Sequence, residues 1–195
     1  VEFDDGAGFG CGSPSCYLVD SADHTDGRDI MFGASADYRS LGGALVSTPS
    51  FSYSSRDDHL QGTGWSVDTE VSTLKAGHQA AYTFGDADQH KVIGAAEFER
   101  ETFRSSSAGS DLKTRDQFGT VLEYRGDITD RLFVQLGARH DWNDDFANAT
   151  TWSASAAYSI HETGTRLHAS VGRGVTNPTF FELYGFMPGQ FVGNP

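Results

Sequence analysis

The chain has 195 residues, 27 of them acidic and 14 basic, which leaves a formal net charge of −13. That balance excludes the basic stripe a nucleic-acid-binding surface needs. Mean hydropathy is −0.42, and no apolar run approaches the ~20 residues of a membrane-spanning helix; a β-barrel stays open, because only every second residue of its strands meets lipid.

The first segment, residues 1–28, is rich in glycine and aspartate and shows no strand pattern. VEFDDGAGFG has neither the basic start nor the apolar core of a signal peptide, so Val1 reads as a mature terminus or a cut edge. Gly6, Gly8, Gly10 and Gly12 imitate a phosphate loop only in composition, since no strand precedes them and no Lys-Ser/Thr follows. The two cysteines stand in CGSPSC, where Gly12 and Pro14 permit a reversal. In an oxidising compartment Cys11 and Cys16 are expected to form a disulfide, with free thiols the alternative. Two cysteines without a partner pair make no zinc site.

From residue 29 onward the dominant period is two. Ile30, Phe32, Ala34, Ala36 and Tyr38 alternate with Met31, Gly33, Ser35, Asp37 and Arg39. Residues 47–56 are a weaker strand because Pro49 disfavours a central ladder. Residues 67–84 place Leu74, Ala76, Ala80, Tyr82 and Phe84 on one face, interrupted by His78. Strands follow near 89–105, 115–126, 131–143, 149–160 and 165–175. The pattern is cleanest where Leu132, Val134, Leu136 and Ala138 oppose Gln135, Gly137, Arg139 and Asp141. These make eight antiparallel strands spanning 29–175.

The connections alternate in length. Leu41 to Ala44, Gly85 to Gln89, Asp127 to Asp130 and His161 to Gly164 are short, whereas Ser55 to Ser66, Ser105 to Thr114 and Asn143 to Asn148 are longer and polar. Short turns on one side and long loops on the other are the habit of bacterial outer-membrane barrels. This places residues 1–28 and 176–195 in extracellular loops. Tyr38, Tyr82, Phe84, Phe103, Tyr124, Trp142, Trp152 and Tyr158 lie near strand ends, where interfacial girdles are expected. Arg39, Glu97, Glu99, Arg125, Arg139, Asp141 and His168 fall on the polar face and are candidates to face a lumen or a plug. The loop acids read as solvated, with calcium binding the alternative.

The tail runs GRGVTNPTFFELYGFMPGQFVGNP from Gly172 to Pro195. Gly172, Arg173, Pro178, Thr179, Phe180, Glu182, Leu183, Tyr184, Gly185, Asn194 and Pro195 resemble the signature of TonB-dependent outer-membrane receptors, with Asn177 where that family usually has alanine. The resemblance implies an all-β transmembrane barrel of about 22 strands with a plugged lumen. The present eight strands would be an open curved slice of it, and the truncated tail an extracellular signature loop. It further implies energy-coupled import of a ferric siderophore, haem or cobalamin across the bacterial outer membrane, with a plug domain and the TonB complex as partners outside this chain. Trp65, Phe181 and Tyr184 are the loop aromatics expected to meet such a ligand.

No catalytic constellation accompanies this pattern. The seven histidines show no metal-binding spacing, no nucleophile elbow of the Gly-x-Ser-x-Gly type is placed, and neither enzyme activity nor a cofactor is expected. A small passive porin-like barrel and a soluble β-sandwich binding module are the competing readings. The first requires a closed ring and the second two packed sheets.

Overall fold

The computed structural model describes residues 23–62, 64–180 and 182–184, together with the backbone pairing of five short strands nearer the ends. In chain order the elements are β1 (Glu2–Asp4), β2 (Gly8–Gly12), β3 (Ser15–Val19), β4 (His24–Ser35), β5 (Tyr38–Ser40), β6 (Leu45–Gly62), β7 (Trp65–Phe84) and β8 (His90–Ser105). They continue as β9 (Lys113–Thr129), β10 (Leu132–Asn143), β11 (Ala149–Ile160), β12 (Thr165–Arg173), helix α1 (Phe180–Tyr184), β13 (Phe186–Met187) and β14 (Phe191–Val192).

One ten-stranded antiparallel sheet holds nearly all of this, in the order β1-β4-β6-β7-β8-β9-β10-β11-β12, with β5 continuing the line of β4 on β6. Each long strand pairs with its neighbour in sequence. β4 and β12, the ends of a hypothetical eight-strand ring, do not pair with each other, so the sheet is open.

The sheet is a single layer. The only buried hydrophobic residues among those described are Ala81, Phe103, Ala157 and Phe180, and no large side chain is fully enclosed. Leu122 is 62 % exposed and Val171 61 %. In water each such side chain would forgo roughly 1.5–3 kcal/mol of burial. A two-sheet sandwich buries these faces against each other; here no described residue covers them.

Register assigns the side chains to faces. Gly94, Leu122, Ala138 and Trp152 form one cross-strand row on an apolar face. Glu97, Gly119, Asp141 and Ala149 form a row on the opposite, charged face. Two aromatic bands frame the apolar face. At the short-turn end Tyr82 stacks on Phe84 at 5.7 Å, Phe84 meets His90 at 5.2 Å, and His90 stacks on Tyr124 at 6.0 Å. At the other end Phe118 meets Trp142 at 5.5 Å, and His140 sits edge-on to Trp142 at 4.4 Å. Six residues, about 20 Å along the strand, separate Phe118 from Tyr124 and Trp152 from Tyr158.

Four expectations are corrected. Phe103 is no girdle residue: it pairs with Val71 and Lys113 on the charged face and is 4 % exposed. The segment from Ser55 to Ser66 is not a loop, because β6 and β7 stay paired up to Gly62 and Trp65. A membrane-spanning barrel strand needs only about 9–11 residues; β6 and β7, at 18 and 20 residues, are nearly twice that. Nor does Pro49 weaken the ladder. Its carbonyl accepts from Ala36 N–H at 3.3 Å, so its missing donor faces the break between β4 and β5, where no ladder bond is due. The first barrel strand also begins at His24, ahead of the expected residue 29, and its outer end pairs with β1.

Candidate functional site

The charged face carries a set of ion pairs, some between strands and some within one strand. Lys75 on β7 reaches Glu99 on β8 at 2.9 Å. Arg139 on β10 donates to Asp141 at 2.8 Å and spans to Glu97 at 3.4 Å. Arg125 pairs with Glu123, which also accepts from Gln135 at 3.2 Å. Gly119 makes room for the Arg139–Asp141 pair, since a Cβ there would lie 2.6 Å from the guanidinium and 2.7 Å from the carboxylate. Pairs this open contribute at most about 1 kcal/mol each; their main effect is a hydrated, charged wall.

Glu97, Glu99, Arg125, Arg139 and Asp141 are therefore neighbours. Arg39 shares their face through its pairing with Val46 but lies beside the short turn. His168, paired with Ala157, also shares it, near the open edge on β12.

Beyond β12 the chain turns back over this charged face. Gly172 permits the last rungs of β12, because a Cβ would meet Trp152 O at 2.9 Å; Arg173 closes the ladder opposite Trp152. Asn177 then donates to Asn143 Oδ1 at 3.4 Å, at the end of β10. Pro178 offers its carbonyl to Arg115 on β9 at 2.9 Å. Residues 174–184 thus cross back from β12 towards β8 as a strap.

The strap ends in α1, whose start is a reciprocal cap. Glu182 N–H donates to Thr179 Oγ1 at 3.2 Å, and Thr179 N–H donates to Glu182 Oε2 at 2.7 Å. The Thr-x-x-Glu spacing is what a one-turn helix needs to satisfy its orphan donors. The Glu182 carboxyl is held below its ordinary value by these Thr179 donors.

Phe180 docks the helix. Its ring stacks on Phe103 at 5.5 Å and lies under the Arg115 guanidinium at 4.7 Å. Arg115 also covers Phe146, from the β10–β11 connection, at 5.4 Å, and Nε donates to Glu101 at 2.9 Å. Tyr184 lies 6.2 Å from Phe180, with Lys113 Nζ 5.4 Å above its ring. Leu183 N–H closes the turn on Thr179 O at 3.1 Å.

Trp65 is remote from this cluster. It tips the β6–β7 hairpin, lies against Gly62 and is 53 % exposed. Below it His59 binds Asp68 at 2.5 Å, a contact that raises the imidazole pKa. An open cleft of about 730 Å³ runs along this hairpin past Asp57, Asp58, Glu70 and Arg104. No group of three His, Cys, Asp or Glu that could hold a metal exists among the described residues.

The side chains of Cys11, Cys16 and Phe181, and Asn194 and Pro195 altogether, lie outside the described residues. The backbone does pair Cys11 with Cys16 in register across β2 and β3. Arg115, Glu101, Lys75 and Phe103 were missed as site residues. For Phe103 the signal was available: its odd number matches Glu97 and Glu99, not Phe98. For Arg115 no local signal exists, since its partner Pro178 is 63 residues away.

A family model described as "TonB dependent receptor-like, beta-barrel" matches residues 17–195. Among solved structures, the siderophore receptor PirA from Pseudomonas aeruginosa superposes with a TM-score of 0.75 at 14% identity, covering 90% of this chain and 34% of that one. The RagAB peptide importer in its closed-closed state superposes with a TM-score of 0.55 at 9% identity, covering 86% of this chain and 25% of that one. At such identities the likeness is one of fold. The chain spans about a third or less of the length of either neighbour.

Proposed function

The chain belongs to the TonB-dependent receptor-like β-barrel family, a family of transport receptors, and from that premise we propose that the whole protein imports a ferric siderophore, haem or cobalamin across the outer membrane. The ten-stranded sheet is a slice of its barrel wall. The apolar face between the aromatic bands meets lipid, the charged face lines the lumen and contacts the plug, and the strap lies at the extracellular mouth.

The observation that supports this reading best is the pairing of opposite faces on one uncovered layer. Exposed Leu122 and Val171 suit hydrocarbon, while Glu97, Arg139 and Asp141 on the other side suit a hydrated interior. Fold likeness does not choose the cargo, since the two neighbours are named for different ones, a siderophore and peptides. Energy would enter through the TonB complex acting on the plug, so the wall alone is not expected to transport.

The test is uptake by cells lacking this receptor and by cells carrying it. Radioiron on a catecholate and on a hydroxamate chelator, haem, and radiolabelled cobalamin are the probes. One of them should accumulate only with the receptor present and only while the inner membrane is energised. Accumulation that survives an uncoupler would indicate a passive pore and overturn the proposal.

A further inference from the structure

We infer that Arg115 is a positioning residue that joins two separate connections, 144–148 and 174–184, into one preformed wall at the barrel mouth. The inference rests on the reading of the charged face as the lumen.

Among the described residues, the two buried aromatic side chains of this thin sheet lie at this point. Phe103 is 4 % and Phe180 7 % exposed, and the Arg115 side chain is 12 % exposed. Four groups from different parts of the chain converge on its guanidinium. Glu101 of β8 takes its in-plane donors, and the Pro178 carbonyl of the strap takes another at 2.9 Å. Phe146 and Phe180 offer their ring faces, at 5.4 and 4.7 Å. A flat ion with donors around its rim and π-accepting surfaces uses both features here. An ammonium offers neither the fork nor the plane. Glu101, the register partner of Arg115, fixes the direction in which it points.

Among the described residues, the other contact near both connections joins Asn177 to Asn143, the last residue of β10, at 3.4 Å. Without Arg115, 144–148 would be a short surface loop anchored at its own strand ends, and 174–184 would keep its Phe180–Phe103 stack but lose its tie to Phe146. With it they form one wall before any ligand arrives, so a ligand resting there need not order them.

Hydrogen exchange on the intact receptor in detergent micelles tests this. The amides of Thr179 and Leu183 are hydrogen-bonded within 174–184, and that of Asp144 to the Asp116 carbonyl of β9; they report on the two connections. In both Arg115→Met and Arg115→Lys, exchange should quicken roughly tenfold or more in 144–148 and 176–184 together, with β8 to β11 still protected. Phe180→Leu should release 176–184 and leave 144–148 protected. Unchanged exchange in both Arg115 variants overturns the inference, as does a response confined to one connection. If Arg115→Met fails to reach the membrane, Arg115→Lys and Phe180→Leu carry the same comparison.

Uptake of the radioiron and cobalamin probes adds a functional arm. Arg115→Lys should raise KM several-fold and leave the maximal rate near wild type. A fall in maximal rate at unchanged KM would overturn the wall's role in ligand binding. Absence of uptake of every probe by the wild-type receptor would overturn the transport reading, and the exchange data would still decide the clamp.

Discussion

Placing a lysine at Leu122 and, separately, at Ala95 distinguishes a membrane wall from a soluble sheet. The two positions lie at almost the same height: Leu122 pairs with Gly94, and Ala95 with Val121. They face opposite ways. Leu122, 62 % exposed on the apolar face, lies about 13 Å along β9 from Phe118 and about 7 Å from Tyr124, well inside the aromatic bands. A lysine there must put its ammonium in hydrocarbon or stretch it to an interface, at a cost of about 2–4 kcal/mol near the midplane. Ala95→Lys places the same charge beside Glu97 on the hydrated face and should change stability by less than about 0.5 kcal/mol. Guanidinium titration of the intact receptor in short-chain phosphatidylcholine bilayers, followed by tryptophan fluorescence, measures both. If Leu122→Lys is as stable as Ala95→Lys, or more stable than wild type, the apolar face does not meet lipid and the assignment of faces is wrong.

Other outcomes follow from single contacts. Because the Glu182 carboxyl is held below its ordinary 4.5, its cap on α1 is fully present above that value and is lost as pH falls through the depressed one. Protection of the Leu183 amide, measured against its intrinsic exchange rate at each pH, should therefore fall on acidification, and Glu182→Gln should abolish that dependence. His59 is raised above 6.5 by Asp68, so the charged contact holds below 6.5 and disappears as pH climbs through the raised value; an NMR titration should show Asp68→Asn returning His59 towards 6.5. Cys11 and Cys16 should resist alkylation until a reductant is added. Antiparallel register partners lie about 4.5–5.5 Å apart at Cα, within disulfide reach, and ready alkylation without reductant would refute the bond.

The strands were readable because alternation is a local property: Leu132 through Ala138 announces both strand and face without help from the rest of the chain. What local reading could not supply was pairing. Arg56, Asp57, Asp58 and His59 have the composition of a loop, yet each takes its place opposite a residue of β7, and a hairpin extension needs no apolar face to betray it. Pro49 was misjudged for a related reason, since its tolerance depends on a gap in the neighbouring strand. The signature residues were visible as a pattern, but their physical meaning was not. Thr179 and Glu182 cap a turn, and Phe180 fills the space between Phe103 and Arg115, which lie far earlier in the chain.

The order β4-β6-β7-β8-β9-β10-β11-β12 also says something about how the wall is assembled. Nearly every ladder closes a hairpin between successive strands, so the chain entropy lost at each step is that of a short loop. Such a sheet can grow one strand at a time, each new edge templating the next. The strap breaks that rule: Phe180 must reach back to Phe103, and Pro178 to Arg115, across strands that have to be in register first. Its docking is thus a late event, and burial of Phe180 would serve as a timer for completion of the strands from β8 to β12.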